Sequence, residues 1–289
     1  RRFDDLYGRA YRHDRGVLAV PAVILLLAGT VLAGSYLADG TVMSKGIDFT
    51  GGTEVHIPVP GNVTTGDVAP AFPNATAVRS LTGGETKWIV VESAESYGGE
   101  LVRSRLRTGG VMFRDTGRTS ISIRSVGPGV GAGFFRDAQV WSGVALLIMS
   151  AVIFVAFRSL VPSFAVILAA VTDILVAMAG MVLLGIDLTL GSLAALLMLL
   201  GYSVDTDILL STRVLKQREA DMKERIRSSI VTGSTMTFAA IAAFTALWTI
   251  STAPRLDQIA SVILIGLVAD LPVTWLGNAF ILKWHVERQ

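Results

Sequence analysis

Four aspartates, Asp173, Asp205, Asp207 and Asp270, lie inside or at the end of long apolar runs, and no other feature constrains the fold of this chain as strongly. A carboxylate near the middle of a bilayer costs about 2.5–3.5 kcal/mol on insertion scales, so it is retained where it does work. The pattern points to a membrane protein that moves or senses a cation, most simply a proton.

The membrane assignment rests on composition and run length together. Hydrophobic residues make up 52% and charged residues 17% of the chain, and the mean hydropathy is +0.58, too apolar for a soluble domain. Stretches of about 20 apolar residues predict spans at 17–38, 139–157, 162–184, 189–211, 229–250 and 258–282. The first follows basic residues, as a secretory signal does, but its apolar length exceeds a signal core and five spans follow it, so it reads as a retained anchor. The chain opens on Arg1 instead of Met, which implies a longer product.

Arginines and lysines in the short loops fall on one side: residues 1–16, Arg158, the loop 212–228 and the tail 283–289, against Arg255 alone on the other. The positive-inside rule then places both termini in the cytoplasm and the polar segment 39–138 outside. The loop 212–228 mixes both signs in helical order, as a solvated linker does, although a docking role is the alternative. The formal charge is +2, topology accounts for the basic loops, and no nucleic-acid partner is implied.

The outer segment predicts an α+β domain. Strands are expected at 53–59, 76–81, 86–92 and 118–124, and helices at 65–72 and 96–107, with Gly-rich breaks between them. That order, strand, helix, strand, strand, helix, strand, is the ferredoxin-like one. Arg103, Arg105 and Arg107 read as a solvated helix face, with a binding patch as the alternative. With zero cysteines there is neither a disulfide framework nor a thiolate metal site. His13, His56 and His285 lack metal spacing and are expected at surfaces or interfaces. Neither a cofactor nor a metal is expected, and no nucleotide-binding motif is present.

Between the first span and the first strand lies Gly46-Ile47-Asp48-Phe49-Thr50-Gly51-Gly52. Read from its residues it is a tight turn, with positive φ at Gly51-Gly52 and Asp48 bonding nearby backbone N–H groups. A phosphate cradle is the other reading, disfavoured because no Lys-Ser/Thr follows. The string GIDFTGGTEV resembles the signature of the SecD/SecF protein-export family. The resemblance continues through Val126-Gly127-Pro128 with Gly131 and Ala138, Asp173, Asp187-Leu188, Ala194-Ala195 and Gly201-Tyr202-Ser203-Val204-Asp205-Thr206-Asp207.

Membership in that family implies one half of a twelve-helix assembly similar to the resistance-nodulation-division transporters. It implies a SecD partner, work beside the Sec channel on secreted polypeptides, surrounding membrane lipids, and no enzymatic activity. Proton flow would drive the outer domains. The chain departs from the bacterial pattern, which reads Asn-Asp-Thr where Asp205-Thr206-Asp207 stands, so Thr206 takes the usual acidic position; Ser228, next to Arg227, stands where an Arg is usual. Asp-Thr-Asp and the Asp270 helix look archaeal.

Depth ranks the aspartates. With the third span beginning near Pro162 and the sixth near Gln258, Asp173 and Asp270 lie roughly 16 and 18 Å in, near the midplane. Asp205 would sit deeper toward the cytoplasm and Asp207 near that interface, where it can be hydrated. The two point about 200° apart on a regular helix, so both face one partner only where the helix unwinds, which Gly201 could allow; Asp205 is the favoured working group. The strings Val171–Val176 and Val268–Val273 echo each other, a sign either of an inverted repeat or of chance. For each Asp the structural alternative is a neutral carboxyl bonded to Ser, Thr or backbone. Burial disfavours the charged form, so a working Asp would exchange a proton. A translocase subunit, an independent proton-coupled exporter and a passive scaffold stay open on the residues; the resemblance favours the first.

Overall fold

The computed structural model describes residues 18–83, 86–115, 120–216, 222–251 and 253–287. Residues 1–16 with their five arginines, His13, part of the 212–228 loop and the last two residues lie outside them.

Helix α1 (Ala19–Asp39) carries no charge before its last residue and ends at Gly40 in a left-handed conformation, the usual helix stop. A four-residue turn, α2 (Ile47–Thr50), leads into β1 (Gly52–Val59). Then follow α3 (Thr65–Val68), held by a Thr64–Asp67 capping box, a 3₁₀ turn, β2 (Ala75–Gly83), β3 (Thr86–Ser93), α4 (Gly99–Thr108) and β4 (Ser122–Val126). The last strand was expected over 118–124; residues 118–119 lie outside the described ones, and the strand observed runs from Ser122 to Val126. The remainder is helical: α5 (Pro128–Phe157), α6 (Leu160–Leu184), α7 (Leu190–Lys216), α8 (Met222–Ile250), α9 (Pro254–Pro272), a π-helical segment Val273–Asn278 and α10 (Ala279–Glu287). Helix α5 starts well before residue 139 because its first turns are helical but polar, which an apolar-window reading misses.

Among the described residues, six helical stretches are long and apolar enough to cross a membrane, the last running from Arg255 to Glu287. Their burial divides them. The spans in α6, α7 and α9–α10 are 44%, 50% and 56% buried, whereas those in α1, α5 and α8 are 11%, 6% and 11% buried. The bundle thus has three inner helices and three outer ones.

The sheet has the order β2-β3-β1-β4 with every neighbouring pair antiparallel, which is the ferredoxin-like arrangement. Because side chains alternate across a strand, Val55, Ile57, Ile89 and Val91 share one face and pack with Phe72, Val102 and Leu106 into the domain core. Glu54, His56, Arg79, Glu92 and Arg124 occupy the other face. A half-exposed antiparallel sheet would leave these in water. Here β1 is buried over its whole length, because the polar face lies on the end of the helical bundle.

Backbone pairing fixes that seat. The Gly46 amide donates to the Leu188 carbonyl and the Leu188 amide to the Ser44 carbonyl, both at 2.9 Å. Gly51 and Gly52 have φ of 76° and 121°, as their sequence suggested. A Cβ on Gly131 of α5 would stand 2.6 Å from the Gly51 amide nitrogen, 3.1 Å from the Phe49 carbonyl carbon and 3.2 Å from that of Thr50. These are backbone atoms, which cannot swing aside. Gly131→Ala is expected to destabilise the protein by about 1–3 kcal/mol, the usual cost of overpacking, in denaturant titrations in detergent. An unchanged midpoint would contradict the contact.

Candidate functional site

Three of the four aspartates meet inside the bundle. Asp173 of α6, Asp207 of α7 and Asp270 of α9 are 1%, 0% and 1% exposed. The Ser203 hydroxyl donates to Asp173 Oδ2 at 2.5 Å, and the Asp270 carboxyl is near enough to both to interact with them electrostatically. Asp207 Oδ1 accepts from Asn278 Nδ2 at 2.6 Å. Thr274 Oγ1 stands 3.0 Å from Asp207 Oδ1 and 2.9 Å from Asp270 Oδ1. One hydroxyl carries one hydrogen, so Thr274 can donate to only one of these carboxyls while receiving from the other.

The surroundings are neutral. Hydroxyls, one amide and the carboxyls themselves are the partners, and Asp173 Oδ1, Asp207 Oδ2 and Asp270 Oδ2 are buried without a hydrogen bond. A bare buried carboxylate oxygen is costly, and a proton on the group removes much of that cost. The arrangement can therefore hold and pass protons. Ser and Thr partners are those a purely structural role would also use; the convergence of three carboxyls from three helices goes beyond it.

Asp205 is not part of this cluster. It is exposed on the surface of α7, so the expected preference for Asp205 over Asp207 meets the opposite order of burial. Asp207 is not hydrated at an interface but fully enclosed. No unwinding occurs at Gly201, since α7 is continuous. Ser203 and Asp207 are four residues apart and share the inner face, while Asp205 falls on the other. Gly201 is exposed, and the half-exposed Tyr202 sets its ring against Phe244 at 6.0 Å.

Ser203, Thr274 and Asn278 were not anticipated. A signal for two of them exists: Asp270, Thr274 and Asn278 recur at four-residue spacing. The π segment begins just after Pro272; its i→i+5 bonding turns the chain less per residue and keeps that spacing on one face, and such segments often occur at functional sites.

A second polar cluster joins the sheet to the bundle. Asp48, 0% exposed, does not bond nearby amides as expected. Its Oδ1 pairs with Arg124 at 2.6 Å, and its Oδ2 accepts from the Leu190 amide at the start of α7 at 3.0 Å and from Arg255 of α9 at 3.4 Å. Arg255 also reaches Glu54 Oε2 at 2.6 Å, and Glu54 bonds His56. His56 is thus buried, not at a surface. Arg79 pairs with Asp187 in the α6–α7 turn. Phe49 of the Gly46–Gly52 motif is buried, its ring 5.5 Å from Phe135.

Charge is uneven across this junction. Burial would raise Glu54, but the His56 hydrogen bond and charge, then Arg255 and Arg124, hold its carboxyl below the ordinary range. Burial and then the Asp187 carboxylate push Glu92 up to about 8, with Arg79 opposing. Burial would lower Arg79, but Asp187 keeps its guanidinium above the ordinary value.

A bundle of six apolar helices with buried carboxyls and an inserted ferredoxin-like domain defines a polytopic membrane protein. The model of the "Protein export membrane protein SecD/SecF, C-terminal" family matches residues 110–288. The protein-export membrane protein SecF of Methanothermobacter thermautotrophicus is 36% identical over 98% of this chain and 96% of its own length. That of Haloferax volcanii is 38% identical over 94% and 92%. The chain belongs to the SecF family of protein-export membrane proteins. The crystal structure of SecDF, a translocon-associated membrane protein from Thermus thermophilus, aligns at a TM-score of 0.70 and 23% identity over 96% of this chain. At that identity the likeness is one of fold, and the chain spans 39% of that longer one.

The sign of the junction's pH dependence follows from Glu92. Its ordinary value is 4.5 and its folded value about 8, so the folded protein binds more protons than the unfolded chain between these limits. Stability is then greatest at the acid end and falls as pH rises through that window. The thermal midpoint should drop between about pH 5 and pH 8, and Glu92→Gln should flatten the drop. An equal drop in Glu92→Gln would contradict the assignment.

Proposed function

We propose that this chain is a multi-pass, non-enzymatic subunit of the cytoplasmic membrane, with both termini cytoplasmic and the β-domain outside. It pairs with SecD beside the Sec channel and promotes export of secreted polypeptides at the expense of the proton motive force. The observation that carries the ion-coupled part is the convergence of Asp173, Asp207 and Asp270 on neutral partners deep in the bundle. Family membership supports the export role, and the fold's correspondence to about two fifths of a SecDF chain supports a second half. The broad apolar faces of α1, α5 and α8 suit lipids and that second half.

In this reading a proton moves among the three carboxyls by local steps. Thr274 takes a hydrogen from one carboxyl and gives its own to the other, joining Asp207 to Asp270, and Ser203 lies at the Asp173 and Asp270 end. Each elementary charge that crosses 100 mV yields about 2.3 kcal/mol, so a few protons suffice to shift helices against one another.

Export of a reporter in cells depleted of the native protein tests this. At equal abundance, Asp173→Asn, Asp207→Asn and Asp270→Asn are expected to export no better than depleted cells, whereas Asp205→Asn exports like the wild type. Full export by the three buried variants would leave a passive scaffold as the better account.

A further inference from the structure

The three helices that carry the buried carboxyls are also the ones whose other ends hold the β-domain. Helix α6 bears Asp173 and runs into the turn where Asp187 pairs with Arg79 of β2. Helix α7 bears Asp207, and the amide of its first residue, Leu190, donates to Asp48. Helix α9 bears Asp270, and fifteen residues earlier in the same helix stands Arg255. At 1.5 Å per residue the two are about 22 Å apart along one continuous rod.

Arg255 does not serve to balance charge alone. Asp48 already has the Arg124 guanidinium on its Oδ1, and Glu54 already has His56. What Arg255 adds is a connection: one nitrogen on Asp48 Oδ2, before the first strand, and another on Glu54 Oε2, within it. The planar guanidinium fork holds two such acceptors in fixed geometry.

Helix α9 is also closely engaged with its neighbours. A Cβ on Gly266 would stand 2.1 Å from Leu199 Cδ2 of α7, and one on Gly180 of α6 would stand 2.6 Å from Ile265 Cγ2 of α9. Close-packed interiors transmit displacement instead of absorbing it.

We propose that Arg255 is a coupling residue: it passes a shift of α9, set by the protonation state around Asp270, to the β-domain through Asp48 and Glu54. The idea deepens the proton-driven reading above and rests on it. The junction then works as a rigid clamp that carries the β-domain with α9, not as a hinge on which the domain swings.

The test uses the full chain in its native membrane with its partner. Arg255→Gln is expected to accumulate normally, to keep the protonated-carboxyl infrared signal of the cluster, and to lose export. Should it fail to accumulate, Arg255→Lys, which keeps the charge but not the fork, carries the test with the same expectation. Because the chain has zero cysteines, a Glu54→Cys, Arg255→Cys pair can be bridged selectively with a bis-maleimide. The unbridged pair should lose export and bridging should restore it. Normal export by the Arg255 variant, loss of the carboxyl signal in it, or a bridged pair that stays inactive would each overturn the coupling role. Normal export by Asp207→Asn and Asp270→Asn would instead overturn the proton reading beneath it, so the two failures are distinguishable.

Discussion

Everything in this structure depends on how a carboxyl group survives in an apolar interior. A lone carboxylate there is too costly to keep, and the available solutions are a cation partner, a proton, or removal to water. Asp205 is at the surface of its helix, whereas Asp173, Asp207 and Asp270 are enclosed with neutral donors. Placing three such groups together requires α6, α7 and α9 to approach closely. Gly180 and Gly266 provide the space, and the π segment after Pro272 brings Thr274 and Asn278 to the same point.

The β-domain solves a related problem at the bundle's end. A ferredoxin-like sheet covers one face with its own helices, and its other face usually meets solvent or a partner. Here that face carries Glu54, His56, Arg79, Glu92 and Arg124, and it is set on the α6–α7 turn and on Arg255. The ion pairs are partly shielded, so they bind more specifically than exposed pairs, whose worth is small. The same shielding leaves Glu92 with a proton well into the neutral range. Two polar clusters, one deep and one at the end, are thus spanned by the same three helices.

Much of this was legible in the residues, because each part has its own period. Runs of twenty apolar residues mark spans, and alternation bounded by Gly-rich breaks marks strands, so the six helices and the strand order could be read directly. The ranking of the aspartates could not. Depth follows from the ends of apolar runs, which say how far along a helix a residue lies but not which face it shares. The four-residue spacings Ser203–Asp207 and Asp270–Thr274–Asn278 carried the missing angle. Arg255 is visible in sequence only as the lone basic residue of the short loops on its side of the membrane, since its partners Asp48 and Glu54 lie some two hundred residues away. His56 reads from the sequence as a surface or interface residue, because an isolated β-strand shows nothing of what will cover its polar face.

The central claim is that the enclosed carboxyls hold an exchangeable proton. Infrared spectroscopy of the purified protein with isotope-labelled aspartate, followed as pH is raised, reads that directly. The account predicts a protonated-carboxyl band at neutral pH that shifts in heavy water and diminishes in Asp207→Asn and in Asp270→Asn. A spectrum in which every aspartate is ionised at neutral pH, unchanged by either substitution, would contradict it.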